Sequence, residues 1–182
     1  MSAAPTQTQT TWAIDASHSS VEFAVKHMMF TTMKGRFSAV EGTILADEGN
    51  PANSAVQVKI DVNSIDTRDE KRDGHLRSAD FFDAETFPQI TFVSTSVEAK
   101  ANNEYLVNGN LTIRDVTREI AIPATFHGSG STPFGTTAAG FSAELTVNRK
   151  DFGLTWNVAL ETGGVLVSDN VKISLDIEAA KQ

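Results

Sequence analysis

Four histidines are the side chains of this 182-residue chain best suited to metal or proton chemistry, and their spacing keeps them apart. His18 and His27 differ by nine positions, an odd number, so a single regular strand would place them on opposite faces. His75 and His127 fall in other segments, without patterned partners. Asp73-Gly74-His75 holds two ligand types, but Asp73 precedes Arg77 by four, the order that favours a helical ion pair. No histidine-based metal site is therefore expected. The chain has no cysteine, which removes thiolate nucleophiles, disulfides and Cys-ligated zinc or iron–sulfur sites. No Gly-x-Ser-x-Gly elbow is present. The carboxylates fall on polar strand positions or in loops, with nothing to mark a paired acid and base. Gly163-Gly164 reads as a turn. The expectation is a protein that is not an enzyme and needs no cofactor. His27, set among apolar residues, is either a hydrogen-bonded interior histidine or a group that orients a ligand's polar head.

The segments that must position these residues are mostly strands. From Ser20 to Met29 the odd positions Val21, Phe23, Val25, His27 and Met29 alternate with polar ones, the period of a half-buried strand. Trp12 to Asp15 forms a short strand before it. Parity changes between Phe37/Ala39 and Val40/Gly42/Ile44, which predicts a bulge. Val56, Val58, Ile60 and Val62 form another strand. One helix interrupts the series near 67–80. Thr67 and Glu70 match a capping box, with Thr67 as N-cap, and Gly74 keeps the helix short. Strands resume over Ile90–Ala99, Tyr105–Ile113 (after an Asn102-Asn103 turn), Thr117–Phe126, Thr137–Arg149 and Val171–Glu178. Residues 128–135 read as a Gly, Ser and Pro loop. Eight or more antiparallel strands at hairpin spacing imply a barrel or a sandwich.

Composition narrows the partners. The formal charge of −8 argues against general nucleic-acid binding and against adsorption to anionic membranes. Residues 1–10 are small and polar, without a basic n-region or an apolar h-region. They read as a disordered leader to a single domain over 11–182. No apolar run approaches the ~20 residues of a membrane span. A cytoplasmic protein is expected, or a periplasmic one if the chain is a matured form. Phenylalanine dominates the aromatics, 11 against one Tyr and two Trp. These rings either pack a core or line an apolar cavity, and alternation alone leaves both open.

Several ordered motifs resemble the YceI family. Trp12-Ala13-Ile14-Asp15 with His18-Ser19 is similar to the family's opening. Gly35-Arg36-Phe37, the run Arg72-Asp73-Gly74-His75-Leu76-Arg77-Ser78-Ala79-Asp80-Phe81-Phe82-Asp83 and Phe87-Pro88 follow in order. So do Gly109-Asn110-Leu111-Thr112-Ile113, Gly140-Phe141 and Arg149-Lys150-Asp151-Phe152-Gly153. Asp115 stands where the family often has Gly, and Asp tolerates a left-handed backbone better than most residues. The resemblance implies an all-β fold, an extended eight-stranded antiparallel, lipocalin-like barrel with one short helix beside it. It implies non-catalytic binding of a long polyisoprenoid or similar amphiphile, such as a prenyl quinone or prenyl phosphate, in the pore. It also implies a homodimer. On this reading the pore candidates are Val21, Phe23, Val25, His27, Met29, Phe37, Val58, Ile60, His75, Phe81, Phe82, Phe92, Leu111, Phe141, Leu145 and Phe152. The rival readings are a lipid-modifying enzyme using an interior histidine, and a structural protein with a filled barrel.

Overall fold

A computed structural model describes residues 9–182. Most of the leader expected over residues 1–10 lies outside the described residues, while Gln9 and Thr10 already belong to the first strand. The strands are β1 (Gln9–Ile14), β2 (Ser20–His27), β3 (Thr31–Phe37), β4 (Val40–Asp47), β5 (Ala55–Asp61), β6 (Ile65–Asp66), β7 (Gln89–Ala99), β8 (Glu104–Ile113), β9 (Val116–Ser131), β10 (Thr137–Asn148) and β11 (Asn170–Lys181). One α-helix, α1 (Glu70–Arg77), follows β6. No helix among the described residues is long and apolar enough to cross a membrane.

Eight strands close a barrel in the order β1-β4-β5-β7-β8-β9-β10-β11, with β11 pairing back onto β1. Every pairing is antiparallel, as hairpin-length connections require. Closure is shared along β11. Its end, Ala179 to Lys181, pairs β1, while Lys172 to Asp176 pair β2. The β2–β3 hairpin and β6 extend the wall there, and α1 sits beside them. Each barrel strand therefore presents one side chain in two to the interior.

Local chemistry sets the boundaries, and five sequence expectations are corrected. The parity change after Phe37 is a break between two strands, not a bulge. Ser38 and Ala39 separate β3, which pairs β2 and β6, from β4, which pairs β1 and β5. The N-cap of α1 is Asp69, whose side chain accepts the Arg72 N–H. Arg68 has φ 64°, so the chain turns after Thr67 and no helix can begin there. Asp73 does not pair with Arg77. Its carboxylate is buried and accepts the Thr67 N–H at 2.9 Å and the Thr67 hydroxyl at 2.5 Å, while Arg77 donates to the Ile65 carbonyl. Residues 128–131 extend β9 instead of forming a loop. Gly140 pairs Gly128 and Phe141 pairs Phe126, leaving His127 as the extra residue of a bulge. At the 114–115 turn, Arg114 takes the left-handed conformation (φ 55°), and Asp115 does not.

Buried apolar side chains gather in two clusters. The larger joins β2, β3 and β6 to the segments around Phe81 and Phe152, and includes Ile65, Val62 and Leu154. The smaller packs Trp12, Ala139 and Ala179, with Phe126 and Phe141 against them. The largest fully buried side chains, Phe152, Ile65 and Val62, come from β6 and the turns beside it and beyond β10. Between the clusters, Val58, Ile60, Ile120, Ile122, Leu175 and Ile177 turn inward yet remain only half-buried. What they face is space.

Candidate functional site

That space is a cavity of about 830 Å³ inside the barrel, in the upper part of the roughly 300–1,000 Å³ usual for ligand sites. Its wall follows from strand alternation. Val21, Phe23, Val25 and His27 contribute from β2 and Phe37 from β3. Val58 and Ile60 come from β5, Phe92 from β7 and Leu111 from β8. Phe141 and Leu145 come from β10, and His75, Phe81, Phe82 and Phe152 from the segments around α1 and after β10. Met29 is outside the wall. β2 ends at His27, Met28 and Met29 turn with φ 50° and 66°, and Met29 is 57% exposed.

The aromatics are arranged as linked pairs. Phe23 and Phe37 lie 5.6 Å apart, and Phe37 meets Phe82 edge-on at 5.8 Å. A Cβ at Gly35, across the hairpin from Phe23, would overlap that ring and come within 2.8 Å of Thr67 Cγ2. Glycine is what lets Phe23 lie across the hairpin. His75 packs edge-on against Phe81 at 5.1 Å and Trp156 at 4.6 Å.

Several wall residues escaped the sequence reading. Trp156 sits in an irregular segment with no periodic signal. Ala139 and Ala143 share the inward face of β10 with Phe141 and Leu145, and their small size leaves the room that the phenylalanines border. Arg149 is buried and ties down the segment over 154–168. Its Nη1 donates to the Leu154 carbonyl at 2.7 Å and the Trp156 carbonyl at 2.9 Å, and its Nε to the Ser168 carbonyl at 2.9 Å. Burial pulls its pKa down while the Asp169 charge opposes that shift.

Polar groups are a minority on the wall. Asp47, Glu48 and Ser54 lie near the Trp12 cluster, and His27, Arg72 and His75 lie near α1 and the β2 terminus. Arg72 is engaged by Thr67, with Nε to the hydroxyl at 2.8 Å and Nη2 to the carbonyl at 2.7 Å. His75 Nε2 lies 2.9 Å from Asp80. His18 and His127 have ring hydrogen bonds to Asp15 and Ser142. Among the described residues, His27 is the one histidine whose ring has no hydrogen-bond partner in the protein.

Outside the barrel, Asp15, His18 and Glu178 converge, a cluster that sequence spacing could not show because Glu178 comes from β11. His18 Nδ1 lies 2.8 Å from Asp15 and 3.9 Å from Glu178. The hydrogen bond to His18, then that from Ser17, holds Asp15 at about 2, and the same Asp15 hydrogen bond raises His18. The Asp15 N–H donates to the Glu178 carbonyl at 2.8 Å. The cluster therefore latches the β1–β2 connection onto β11.

A closed antiparallel barrel with a hollow, phenylalanine-rich interior has the architecture that small-ligand-binding β-barrels use. The YceI-like domain model matches residues 12–179. The chain is 37% identical over 168 residues to the UPF0312 protein ECA1782 of Pectobacterium atrosepticum and to Protein YceI of Salmonella newport, spanning 92% of this chain and 84% of each relative. This chain belongs to the YceI family. Among solved structures it is similar to Burkholderia cenocepacia BcnA, with TM-score 0.78 and 28% identity over 91% of this chain and 98% of that one. The Campylobacter jejuni YceI protein gives TM-score 0.73 at 28% identity, over 86% and 90%. A polyisoprenoid binding domain from Saccharophagus degradans shares the fold at TM-score 0.66 and 17% identity, over 92% and 97%.

Proposed function

We propose that this protein binds a long-chain polyisoprenoid or similar amphiphilic lipid inside the barrel, without catalysing its conversion. The observation that carries the reading is the cavity of about 830 Å³ with its predominantly apolar wall. Such a wall favours an alkyl or prenyl chain, because an unpaired polar group there would lose its water without replacement. The driving term is removal of chain surface from water. A chain of ~40 heavy atoms at ~0.3 kcal/mol each gains roughly 12 kcal/mol, near nanomolar affinity. Apolar contacts are non-directional, so chain selectivity is broad. His27, with its unengaged ring, is the station for the polar head, with His75 and Arg72 beyond it. The relative named for polyisoprenoid binding supports the class of ligand through shared fold. A prenyl quinone and a prenyl phosphate both suit this arrangement, for storage, transport or stress response. A homodimer belongs to the same reading and is checked by light scattering.

Organic extraction of the purified protein followed by mass spectrometry tests the reading. A stoichiometric prenyl lipid is expected, or saturable uptake of an added prenyl quinone or prenyl phosphate by protein that extracts clean. A clean extract combined with no uptake refutes it. Val25→Asp and Phe141→Asp should each abolish uptake. Turnover of the bound lipid that disappears in His27→Ala would instead support a lipid-modifying enzyme.

A further inference from the structure

We propose that the β2–β3 hairpin tip docks the protein on the phospholipid surface of a bilayer, bringing one end of the cavity to the membrane. The tip is Met28-Met29-Phe30, and these side chains are 41%, 57% and 79% exposed. Three adjacent exposed apolar side chains are costly in water and need an apolar partner. Their backbone sharpens the point. Met28 and Met29 both have positive φ, a conformation for which Asn and Gly are the usual residues. The turn thus carries large apolar side chains where its geometry would favour small polar ones.

The tip adjoins the cavity directly. The Met28 N–H donates to the Leu166 carbonyl at 2.8 Å, and Leu166, Val167 and His27 are wall residues. Met29 lies over Gly164, where a Cβ would come within 3.3 Å of its Cγ. Val158, on the same loop, is 45% exposed. Apolar side chains from the hairpin and from this loop thus sit beside one end of the cavity.

Charge selects a phospholipid surface as the occupant. The chain carries −8 overall, yet residues 23–40 contain Lys26, Lys34 and Arg36 and no Asp or Glu. Arg36 is engaged by Asp66 at 3.2 Å. Lys26 Nζ donates to the Thr32 hydroxyl at 2.8 Å and keeps its charge, Lys34 has no ion-pair partner among the described residues, and the register Lys26↔Thr32 and Ala24↔Lys34 gives the two lysines the same face of the hairpin. Glu161 is the acid of the neighbouring loop, and Glu22 stands opposite Arg36, farther from the tip. With a screening length of ~8 Å, a headgroup at the tip meets the two lysines more strongly than the distant acidic face. Apolar side chains that insert below lipid phosphates, with lysines above them, form the amphipathic pattern of interfacial binding. The net charge then orients the molecule with its acidic remainder away from the membrane.

The purpose of docking rests on the lipid-cargo reading, but docking is measured without cargo. The probes are vesicles of phosphatidylcholine, and of phosphatidylcholine with one quarter phosphatidylglycerol, both free of prenyl lipid. Flotation of the intact protein should show binding, several-fold stronger on the anionic vesicles at low salt. The triple variant Met28→Asn, Met29→Gly, Phe30→Ser suits the turn, so it should keep or raise the Tm while vesicle binding falls at least fivefold. Lys34→Glu should remove the preference for anionic vesicles. Absence of wild-type binding to both vesicles overturns the proposal, and so does unchanged binding of the triple variant. A wild-type dimer that the triple variant converts to monomer, with no vesicle binding in either, assigns the tip to a second copy of the chain and also overturns it. Uptake of added prenyl lipid is scored separately, so a protein that docks without cargo and one that takes cargo without docking give different results.

Discussion

At His18 a short-range hydrogen bond sets the titration of two groups, and that makes the latch over β11 dependent on pH. His18 is raised, so its contribution to stability is complete below the ordinary imidazole value of 6.5 and is lost as pH rises through the folded value. Asp15 is lowered to about 2, so its contribution is complete above the ordinary 3.8 and is lost as pH falls toward about 2. The latch is therefore strongest between about pH 4 and 6.5. In an NMR titration, Asp15→Asn should return His18 toward its ordinary value and flatten the alkaline loss of stability. A His18 titration unmoved by that change would show that Glu178 holds the ring instead. Parity along the sequence separates His18 from His27 only if one strand carries both, and His18 instead lies in a 3-10 turn ahead of β2. Parity is silent on Glu178, because a partner 160 positions away is chosen by strand register. Asp73 shows the complementary failure. The four-residue spacing to Arg77 is real, but the carboxylate on the buried side of α1 accepts the Thr67 N–H and hydroxyl, while the half-buried Arg77 donates to the Ile65 carbonyl. Asp73→Ala should then cost about 1–3 kcal/mol in urea denaturation, the penalty for stranding a buried donor, with the barrel otherwise intact.

Among the elements, strands long enough to alternate were legible, and their ends were not. The faces of β2, β5, β10 and β11 follow from period two. The end of β2 at His27 is set by two left-handed methionines, which no propensity for Met would suggest, so period two carried past His27 wrongly puts Met29 on the wall. The segment from Leu154 to Ser168 shows how an irregular element is fixed. Little of it enters a ladder, and its carbonyls converge on one buried guanidinium. Arg149 supplies several donors in a planar fork, which Lys cannot reproduce. Arg149→Lys should destabilise the fold by about 2–4 kcal/mol, since buried carbonyls lose their partners. Amide exchange should rise first between residues 156 and 167, next to Trp156 and His27 on the wall. Uniform exchange changes across all strands would instead mean that Arg149 supports the whole barrel and not this segment.

At the scale of the whole molecule, the open question in the sequence was whether inward phenylalanines fill the barrel or surround a space. Alternation cannot decide this, because it reports which face a side chain takes and not how far the opposite wall stands. Shear and strand number set that distance, and here eight strands leave a cavity where small residues such as Ala143 meet the interior. The same physics supplies a test that a packed core would fail. In a filled core, enlarging a buried alanine forces rotamers and backbone apart, at a cost of about 1–3 kcal/mol. In a hollow one, the added methylenes enter vacant space, gain contacts and cost little. Ala143→Leu, on the inward face of β10 opposite Ala124, should therefore leave the Tm unchanged or slightly raised. It should also reduce uptake of a prenyl quinone at least tenfold, because side chain and ligand compete for one volume. A loss of stability with uptake unchanged would place Ala143 in packing and the ligand elsewhere. Unchanged stability together with reduced uptake would identify the space beside Ala143 as the ligand's own.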